Sequence, residues 1–118
     1  MQLIARGLGV SNGRVKGTVR IVTGFEDFNK FNEGDILVTH LTSPTMVPMM
    51  NKAAGIICNI GWLTSHPSIV SREMGIPCIV SAKDVSGKLV TDVLKDDMVV
   101  EMDGETGEIF MIGDGDQQ

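Results

Sequence analysis

The chain has 118 residues, of which 42% are apolar and 21% charged, and this length suits one domain with one hydrophobic core. Its net charge is −5, from 10 basic and 15 acidic residues. This charge argues against a nucleic-acid partner and against an anionic membrane surface, since both bind basic faces. No apolar run approaches the roughly 20 residues of a membrane-spanning helix, and we expect no signal peptide, because the first residues lack its apolar core. Cys58 and Cys78 lie in apolar runs, as buried thiols do, so we predict a reducing, cytoplasmic setting.

The first third of the chain predicts one strand between a glycine-rich turn and a short helical turn. Residues 2–6 form a short apolar start, and residues 7–13 predict a turn whose glycines take positive backbone angles. This segment lacks the spacing of a dinucleotide-binding loop, and a strand rather than a helix follows it. Residues 14–22 alternate apolar and polar side chains, which predicts a half-buried strand. In residues 24–35, phenylalanines recur at every third position and favour one helical turn packed on the body.

Three short apolar runs in the centre predict buried strands, at residues 36–39, 56–60 and 78–80. Each run is joined to the next by a helical segment, which favours parallel strands with right-handed crossovers. The second connection, residues 61–77, predicts a loop followed by a helix that begins near His66 and ends at a glycine.

The first connecting helix has two candidate starts. Ser43 as N-cap, with Pro44 in the first helical position, fits the usual preferences. Pro48 would then remove an internal hydrogen bond, so we favour Thr45 as N-cap, which places Pro48 in the first turn. Gly55 is expected to end this helix.

The last third predicts a strand hairpin. Residues 82–97 favour a short helix or a packed loop, and strands at 98–102 and 108–112 are joined by a hairpin turn. Residues 113–118 form a polar tail. We therefore predict that residues 1–118 form a single α/β domain. Its mixed sheet would have helices on one side and extra antiparallel strands on the other.

Two loop corners of this fold favour ligand binding, at His40–Thr45 and Gly61–His66. Ligands of α/β sheets bind where the carboxyl ends of parallel strands meet helix starts. If the two preceding strands are neighbours, the two loops lie together, and both are rich in hydroxyl groups. The free N–H groups and the dipole at a helix start favour an anion such as phosphate.

His66 is the main candidate for chemistry at this corner. A histidine there can bind a phosphate as a cation or attack it as a neutral nucleophile. One ring nitrogen would attack, and the other needs an acceptor that fixes the tautomer. The hydroxyl of Thr64 or Ser65, or a loop carbonyl, is available for this. The competing interpretation is a histidine that only makes a structural hydrogen bond.

Neighbouring residues modify this hypothesis. Pro67 removes one N–H just past the histidine. Arg72 follows six residues after His66 and lies off the same helical face, so it either pairs with a carboxylate or reaches the site from the side. We predict no metal, because a zinc centre would need the buried cysteines to turn outward. No serine stands in a nucleophile-elbow pattern.

The order of motifs resembles the phosphohistidine domain of phosphoenolpyruvate-utilising enzymes. This is the mobile, swivelling domain of pyruvate phosphate dikinase, phosphoenolpyruvate synthase and sugar-phosphotransferase enzyme I. The signature is Thr64-Ser65-His66, followed by Ile69-Val70, Arg72-Glu73, Gly75-Ile76-Pro77 and Ile79-Val80. Segments within residues 7–17, 34–48, 53–57 and 103–109 are also similar to the family. The resemblance covers nearly the whole chain, about residues 7–110.

This resemblance implies a β/β/α swivelling fold and a phosphoryl carrier, a component of a phosphotransferase that is incomplete without partner domains. His66 matches the histidine that takes a phosphoryl group from a nucleotide-binding, ATP-grasp-type partner. It would pass the group to a barrel-type partner that uses pyruvate, phosphoenolpyruvate or another small molecule. The domain itself would bind no cofactor, and ATP and Mg²⁺ would belong to the partner. The residues implied to bind or orient the phosphoryl group are Thr64, Ser65, Gly61, Thr42, Ser43 and Arg72.

Two positions depart from the family's pattern. Trp62 replaces a glycine, and Pro67 stands where a small residue is usual. Trp62 would either cover the phosphohistidine or present an apolar surface to a partner. Two other functions remain open, because one fold serves several: a non-catalytic swivel or lid module of the hydratase type, and a domain that binds a small anion.

Overall fold

Seven β-strands close into one barrel in the computed structural model, which describes residues 1–113. The strands are β1 (Gln2–Ser11), β2 (Arg14–Val22), β3 (Ile36–Thr39), β4 (Gly55–Cys58), β5 (Cys78–Lys83), β6 (Val99–Asp103) and β7 (Glu108–Gly113). Around the barrel their order is β1-β5-β4-β3-β2-β6-β7, and β7 pairs with β1 to complete the ring. Strands β2 to β5 run parallel as neighbours, and the other pairings are antiparallel.

Short helices accompany the barrel, namely α1 (Val47–Met50), α2 (His66–Met74) and α3 (Val90–Val93), with 3₁₀ turns at Phe25–Lys30 and Pro44–Met46. The longest, α2, connects β4 to β5 and packs against β1, β4 and β5. It ends as predicted at Gly75, whose φ of 71° is the left-handed conformation that glycine adopts without strain. Within residues 1–113, every helix is too short or too polar to cross a membrane.

The parallel strands alternate between two hydrophobic clusters. In β3, Ile36 and Val38 join a cluster inside the barrel to which all seven strands contribute, while Leu37 joins a second cluster beneath the helices. In β4, Ile57 faces the first cluster and Ile56 the second. Because both faces of these strands are buried, their sequences are apolar without interruption, and this is why the short apolar runs predict them correctly.

The predicted layering, with helices on one side of the sheet and antiparallel strands on the other, is wrong. The antiparallel strands extend the parallel sheet at both of its edges, because β6 pairs with β2 and β1 pairs with β5. Strand β7 then joins β1 to β6. Closure pairs each strand on both sides and so removes the exposed edges of an open sheet. The coarser prediction of an α/β fold with a mixed sheet is confirmed.

The glycine-rich turn predicted at residues 7–13 is wrong for most of its length. Strand β1 continues through Ser11, and within the segment only Gly13, with φ of 131°, takes a positive angle. Gly7 serves a different purpose, since a Cβ there would lie 2.5 Å from the carbonyl oxygen of Val80. The glycine allows β1 and β5 to approach closely rather than allowing the chain to turn.

The helix after β3 differs from the prediction at both ends. Ser43 is the N-cap of the 3₁₀ turn, and Thr45 lies inside that turn instead of capping a helix. Pro48 still falls in the first turn of α1, where its missing N–H costs no helical bond. Gly55 does not end this helix but begins β4, where a Cβ would meet the sulfur of Met102.

The C-terminal hairpin is confirmed. Strands β6 and β7 pair in register from Asp103 opposite Glu108 to Val100 opposite Met111, and the register shifts by one residue before Val99. Of the two alternatives predicted for residues 82–97, the short helix is present as α3. Gly113 belongs to β7 rather than to the predicted polar tail. The remainder of that tail, residues 114–118, lies outside the described residues.

Both cysteines are free and fully buried, as predicted. Burial raises the pKa of Cys78 to about 12 and that of Cys58 well above its ordinary value, because a buried thiolate loses its hydration. At pH 8 both groups therefore stay as thiols, which are poor nucleophiles. We expect Ellman's reagent to leave the native chain unlabelled and to label two thiols after unfolding in guanidinium. Rapid labelling of the native chain would contradict this burial.

Candidate active site

The candidate site lies at the end of the barrel where β3 and β4 stop. These strands are parallel neighbours, and Thr39 at the end of β3 aligns with Cys58 at the end of β4. The pairing continues past the strands. The Asn59 N–H donates to the Thr39 carbonyl at 3.0 Å, and the Ile60 N–H donates to the His40 carbonyl at 3.2 Å. The prediction that the two corner loops lie together is therefore confirmed.

His66 is the first residue of α2 and is half-buried, with its ring against the loop that follows β3. Its Nδ1 lies 2.7 Å from the hydroxyl oxygen of Thr42, a side chain that is 4% exposed. The sequence favours Thr64 or Ser65 for this contact, but the contacting hydroxyl belongs to Thr42, 24 residues earlier. Among the described residues Nε2 makes no hydrogen bond, so this is the ring nitrogen left for a ligand.

The Thr42 hydroxyl suits either tautomer of the His66 ring, because a hydroxyl group can donate or accept. When Oγ1 accepts, the proton lies on Nδ1, and Nε2 carries the free lone pair of a nucleophile. When Oγ1 donates, the proton lies on Nε2, which can then donate to an anion. In both cases the contact fixes the orientation of the ring.

Ser65 shapes the loop around the site. Its hydroxyl accepts from the Trp62 N–H at 3.0 Å and donates to the Trp62 carbonyl at 2.8 Å. The Ser68 hydroxyl donates to the same carbonyl. Although Ser65 occupies the N-cap position of α2, its side chain does not cap the helix, because these loop contacts occupy it.

The start of α2 is therefore open to an anion. No side chain caps it, and its first turn holds no acidic residue. The Ile69 N–H donates to the Ser65 carbonyl at 3.1 Å, so the N–H groups of His66 and Ser68 precede the internal ladder of the helix. Pro67 contributes no N–H. Ser68 is fully buried, so the N–H of the half-buried His66 and the positive end of the helix dipole are what favour a negatively charged ligand at this position.

Gly61 and Thr64 occupy different roles in the loop before α2. Gly61 has φ of 138°, and a Cβ there would lie 2.9 Å from the Ser65 hydroxyl oxygen, so the loop path requires glycine. Its carbonyl accepts from the Ser81 hydroxyl at 2.7 Å. Thr64 is exposed, and its hydroxyl makes no hydrogen bond within residues 1–113, which leaves it available to a ligand.

Ser43 and Arg72 make their contacts elsewhere. The Ser43 hydroxyl pairs with the Thr45 hydroxyl at 2.9 Å. The Arg72 Nε donates to the carbonyl of Val10 at 2.7 Å, which ties α2 to the end of β1. In the part of the chain that the structure describes, no three His, Cys, Asp or Glu side chains lie together as metal ligands would.

Exposed apolar side chains lie on the two loops and on the first turn of α2. We call this set the apolar rim; it consists of Leu41, Ile60, Trp62, Leu63 and Ile69. The largest of them, Trp62, is 63% exposed. Apolar groups clustered on a surface mark interaction sites, and of the two predicted roles for Trp62, this exposure fits contact with a partner.

Sequence reasoning missed Asn59. This residue directly follows β4, is 4% exposed, and its side chain bonds to two other segments. The signal was present, because an amide within the apolar run at residues 56–60 must find hydrogen-bond partners once that run is buried.

Comparison with known proteins places these features in one family. The family model described as "PEP-utilising enzyme, mobile domain" matches residues 31–107. The chain is 44% identical over 109 residues to a probable phosphoenolpyruvate synthase of Archaeoglobus fulgidus. It is also 44% identical over 109 residues to the phosphoenolpyruvate synthase of Pyrococcus furiosus. Each match covers 92% of this chain but only 14% and 13% of the two relatives, so the chain spans about one seventh of their length.

Solved structures agree on the fold. The N-terminal domain of Enzyme 1 – Nitrogen superposes with a TM-score of 0.56 at 26% identity, covering 77% of this chain and 36% of that chain. The holo-form of aconitase X from Thermococcus kodakaraensis superposes with a TM-score of 0.64, covering 92% of this chain and 97% of that chain. Its identity is 15%, so the second likeness concerns the fold alone.

The Thr42 hydroxyl can be tested by replacement. Thr42→Val keeps the side-chain shape and removes the hydroxyl, so Nδ1 of His66 loses its partner. We expect the ring to lose its fixed orientation, seen as shifted or broadened His66 ring signals in nitrogen-15 NMR, and the free energy of unfolding to fall by about 1 kcal/mol. Thr42→Ser keeps the hydroxyl and should preserve the native ring signals. Native signals in Thr42→Val would show that the hydroxyl does not hold the ring.

Proposed function

The chain belongs to the PEP-utilising enzyme mobile-domain family, and from that premise we propose that His66 carries a phosphoryl group between two partner sites. The observation that carries this proposal is the contact of His66 Nδ1 with Thr42, which leaves Nε2 free at an uncapped helix start. The nucleophile, Nε2 of His66, then lies beside the helix start, where phosphoryl oxygens would be stabilised.

The transfer balances with this arrangement. The lone pair of Nε2 forms the N–P bond while the P–O bond to the leaving group breaks. The electron pair of the P–O bond leaves with the oxygen of that group. The proton stays on Nδ1, so the phosphorylated ring is cationic and donates to the hydroxyl oxygen of Thr42. In the onward step the N–P bond breaks, the acceptor oxygen bonds to phosphorus, and the neutral ring returns.

The other site residues support the phosphoryl group in this proposal. The N–H group of His66 would donate to its oxygens, together with the exposed hydroxyl of Thr64. Ser65 and Gly61 would act by fixing the loop, through the contacts to Trp62 and Ser81. Arg72 and Ser43 are secondary candidates, since their contacts lie elsewhere.

We further propose the identity of the partners. The chain matches about one seventh of relatives named phosphoenolpyruvate synthase, which implies further domains. The donor would be a nucleotide-binding, ATP-grasp-type domain that supplies ATP and Mg²⁺. The acceptor would be a barrel-type domain that uses pyruvate or phosphoenolpyruvate. The free, buried thiols fit a cytoplasmic setting, which stays a prediction.

The apolar rim supports docking to such partners. A carrier must present its histidine to two sites in turn, and the rim places apolar side chains on the loops and helix that hold His66. Aromatic side chains contribute most strongly to such interfaces. A non-catalytic lid module would not need a histidine with one ring nitrogen left free at a helix start.

Phosphorylation of His66 tests the carrier proposal. With radiolabelled phosphoenolpyruvate, or with ATP, and cognate cell extract, we expect the chain to acquire an acid-labile, alkali-stable label, as a phosphorus–nitrogen bond gives. His66→Ala should reduce the label to background, because the proposal assigns the attack to Nε2 of His66 alone. Lys52→Ala, an exposed substitution, should keep full labelling. A label that survives in His66→Ala, or none in the native chain, would overturn the proposal.

Trp62 tests the docking surface. With the donor domain supplied separately to this chain, we expect Trp62→Ala to weaken docking about tenfold, which corresponds to about 1.4 kcal/mol. The change should appear as a higher KM for a separately supplied donor domain, with kcat retained. Val85→Ala removes an exposed apolar side chain outside the rim and serves as the matched control. Equal KM values in the two variants would exclude Trp62 from the docking surface.

A further inference from the structure

Asn59 is a buried polar residue at the centre of a hydrogen-bond cluster beside the site. Its Nδ2 donates to the Thr91 hydroxyl at 2.8 Å and contacts Nδ1 of His40 at 3.2 Å. Its Oδ1 accepts from the Thr91 N–H at 3.2 Å. One side chain therefore joins the loop after β3, the loop after β4 and the start of α3.

The orientation of the Asn59 amide follows from its partners. A backbone N–H can only donate, so the carbonyl oxygen of the amide must face Thr91 N–H, and the NH₂ group must face His40. Nδ1 of His40 is then an acceptor, and the neutral ring carries its proton on Nε2. The cluster thus assigns a single tautomer to His40.

This cluster and the Thr42 contact involve the same loop. His40 precedes Thr42 by two residues in the same loop, and the Ile60 N–H holds the His40 carbonyl at 3.2 Å. Asn59 adds a side-chain bond to that backbone bond. Thr42 in turn reaches the His66 ring, so the Asn59 side chain anchors the loop from which the ring is oriented.

The loop needs such an anchor because it borders open space. A cavity of about 510 Å³ lies beside it and is lined by His40, Leu41, Ser43, Asn59 and Thr91 among others. Packing holds side chains in place where they are enclosed, whereas on the cavity side His40, Leu41 and Ser43 border open space. Hydrogen bonds such as that of Asn59 to His40 restrain the loop on this side.

We propose that Asn59 is a positioning residue for His66: it holds the loop of Thr42 so that the Thr42 hydroxyl stays on Nδ1 of the ring. The effect of Asn59 on the rate of phosphoryl transfer rests on the proposed function. Its effect on the orientation of the His66 ring does not. Asn59 touches no reacting atom and acts only through Thr42.

Asn59→Leu is the most direct test. It keeps the approximate size of the side chain and removes both the NH₂ group that faces His40 and the oxygen that faces Thr91 N–H. We expect the ring of His66 to lose its fixed orientation, seen as shifted or broadened ring signals in nitrogen-15 NMR. We also expect the rate of His66 phosphorylation by phosphoramidate, a donor that needs no docking, to fall about tenfold. His40 should lose its single-tautomer signature in the same spectrum.

A second pair of variants guards against a failure to fold. Thr91→Val keeps the N–H and removes only the hydroxyl, so it should weaken the cluster and lower the phosphorylation rate about threefold. Thr91→Ser keeps both groups and should restore the native rate and ring signals. Unfolding curves for each variant separate loss of the fold from loss of positioning, since a purely structural role would lower stability without moving the His66 ring signals.

The outcomes are distinct. Unchanged His66 ring signals and an unchanged rate in folded Asn59→Leu, or in Thr91→Val if Asn59→Leu does not fold, would overturn the positioning role. Changed ring signals in the variant, together with a native chain that phosphoramidate and the cognate donor never phosphorylate, would support positioning and refute the carrier function. Changed signals with a slower rate would support both.

Discussion

The parallel pairing of β3 with β4 is the constraint on which the site depends. Two parallel neighbours end at the same edge of a sheet, so the loops that follow them are neighbours as well. Thr42 in the first loop thereby meets His66 at the start of α2, at 2.7 Å. Because the barrel is closed, neither strand can slide without breaking pairings on both of its sides. The distance between the side chains of Thr42 and His66 is therefore held by the pairing of the strands.

The features that the sequence predicts correctly are those set by local rules. Uninterrupted apolar runs identify β3, β4 and β5, while Gly75 ends α2 because a glycine accepts its left-handed φ. Closure of the barrel and the partner of the His66 ring depend on long-range neighbours. Strand β1 pairs with β7 from the other end of the chain, and Thr42 lies 24 residues before His66. Single-sequence patterns carry no record of such pairings. The role of Gly7 also escapes them, because its neighbour Val80 comes from a distant strand.

Proteins with different names share this barrel, so the fold does not determine the chemistry. The chemistry depends on a few side chains. Aconitase X shares the fold at a TM-score of 0.64 with 15% identity, and that likeness carries no information about His66. The information comes from the uncapped start of α2, the occupied Nδ1 and the free Nε2. Ser65 contributes indirectly, since its hydroxyl is used by Trp62 and so leaves the helix start open. Each of these features is a matter of which groups are hydrogen-bonded, and none of them follows from the fold alone.

Pro67 bears on the energetics of the proposed reaction. A proline in the first turn of α2 removes one N–H from the set that faces a phosphoryl group, and a hydrogen bond to a charged group is worth about 1.5–3 kcal/mol. The phosphorylated ring is then held less tightly than it would be with a full set of donors, and its free energy lies higher. A higher group-transfer potential shifts the equilibrium towards the next acceptor, by about tenfold for each 1.4 kcal/mol. Weaker binding of the phosphoryl group at this corner would therefore suit the carrier role that we propose for His66.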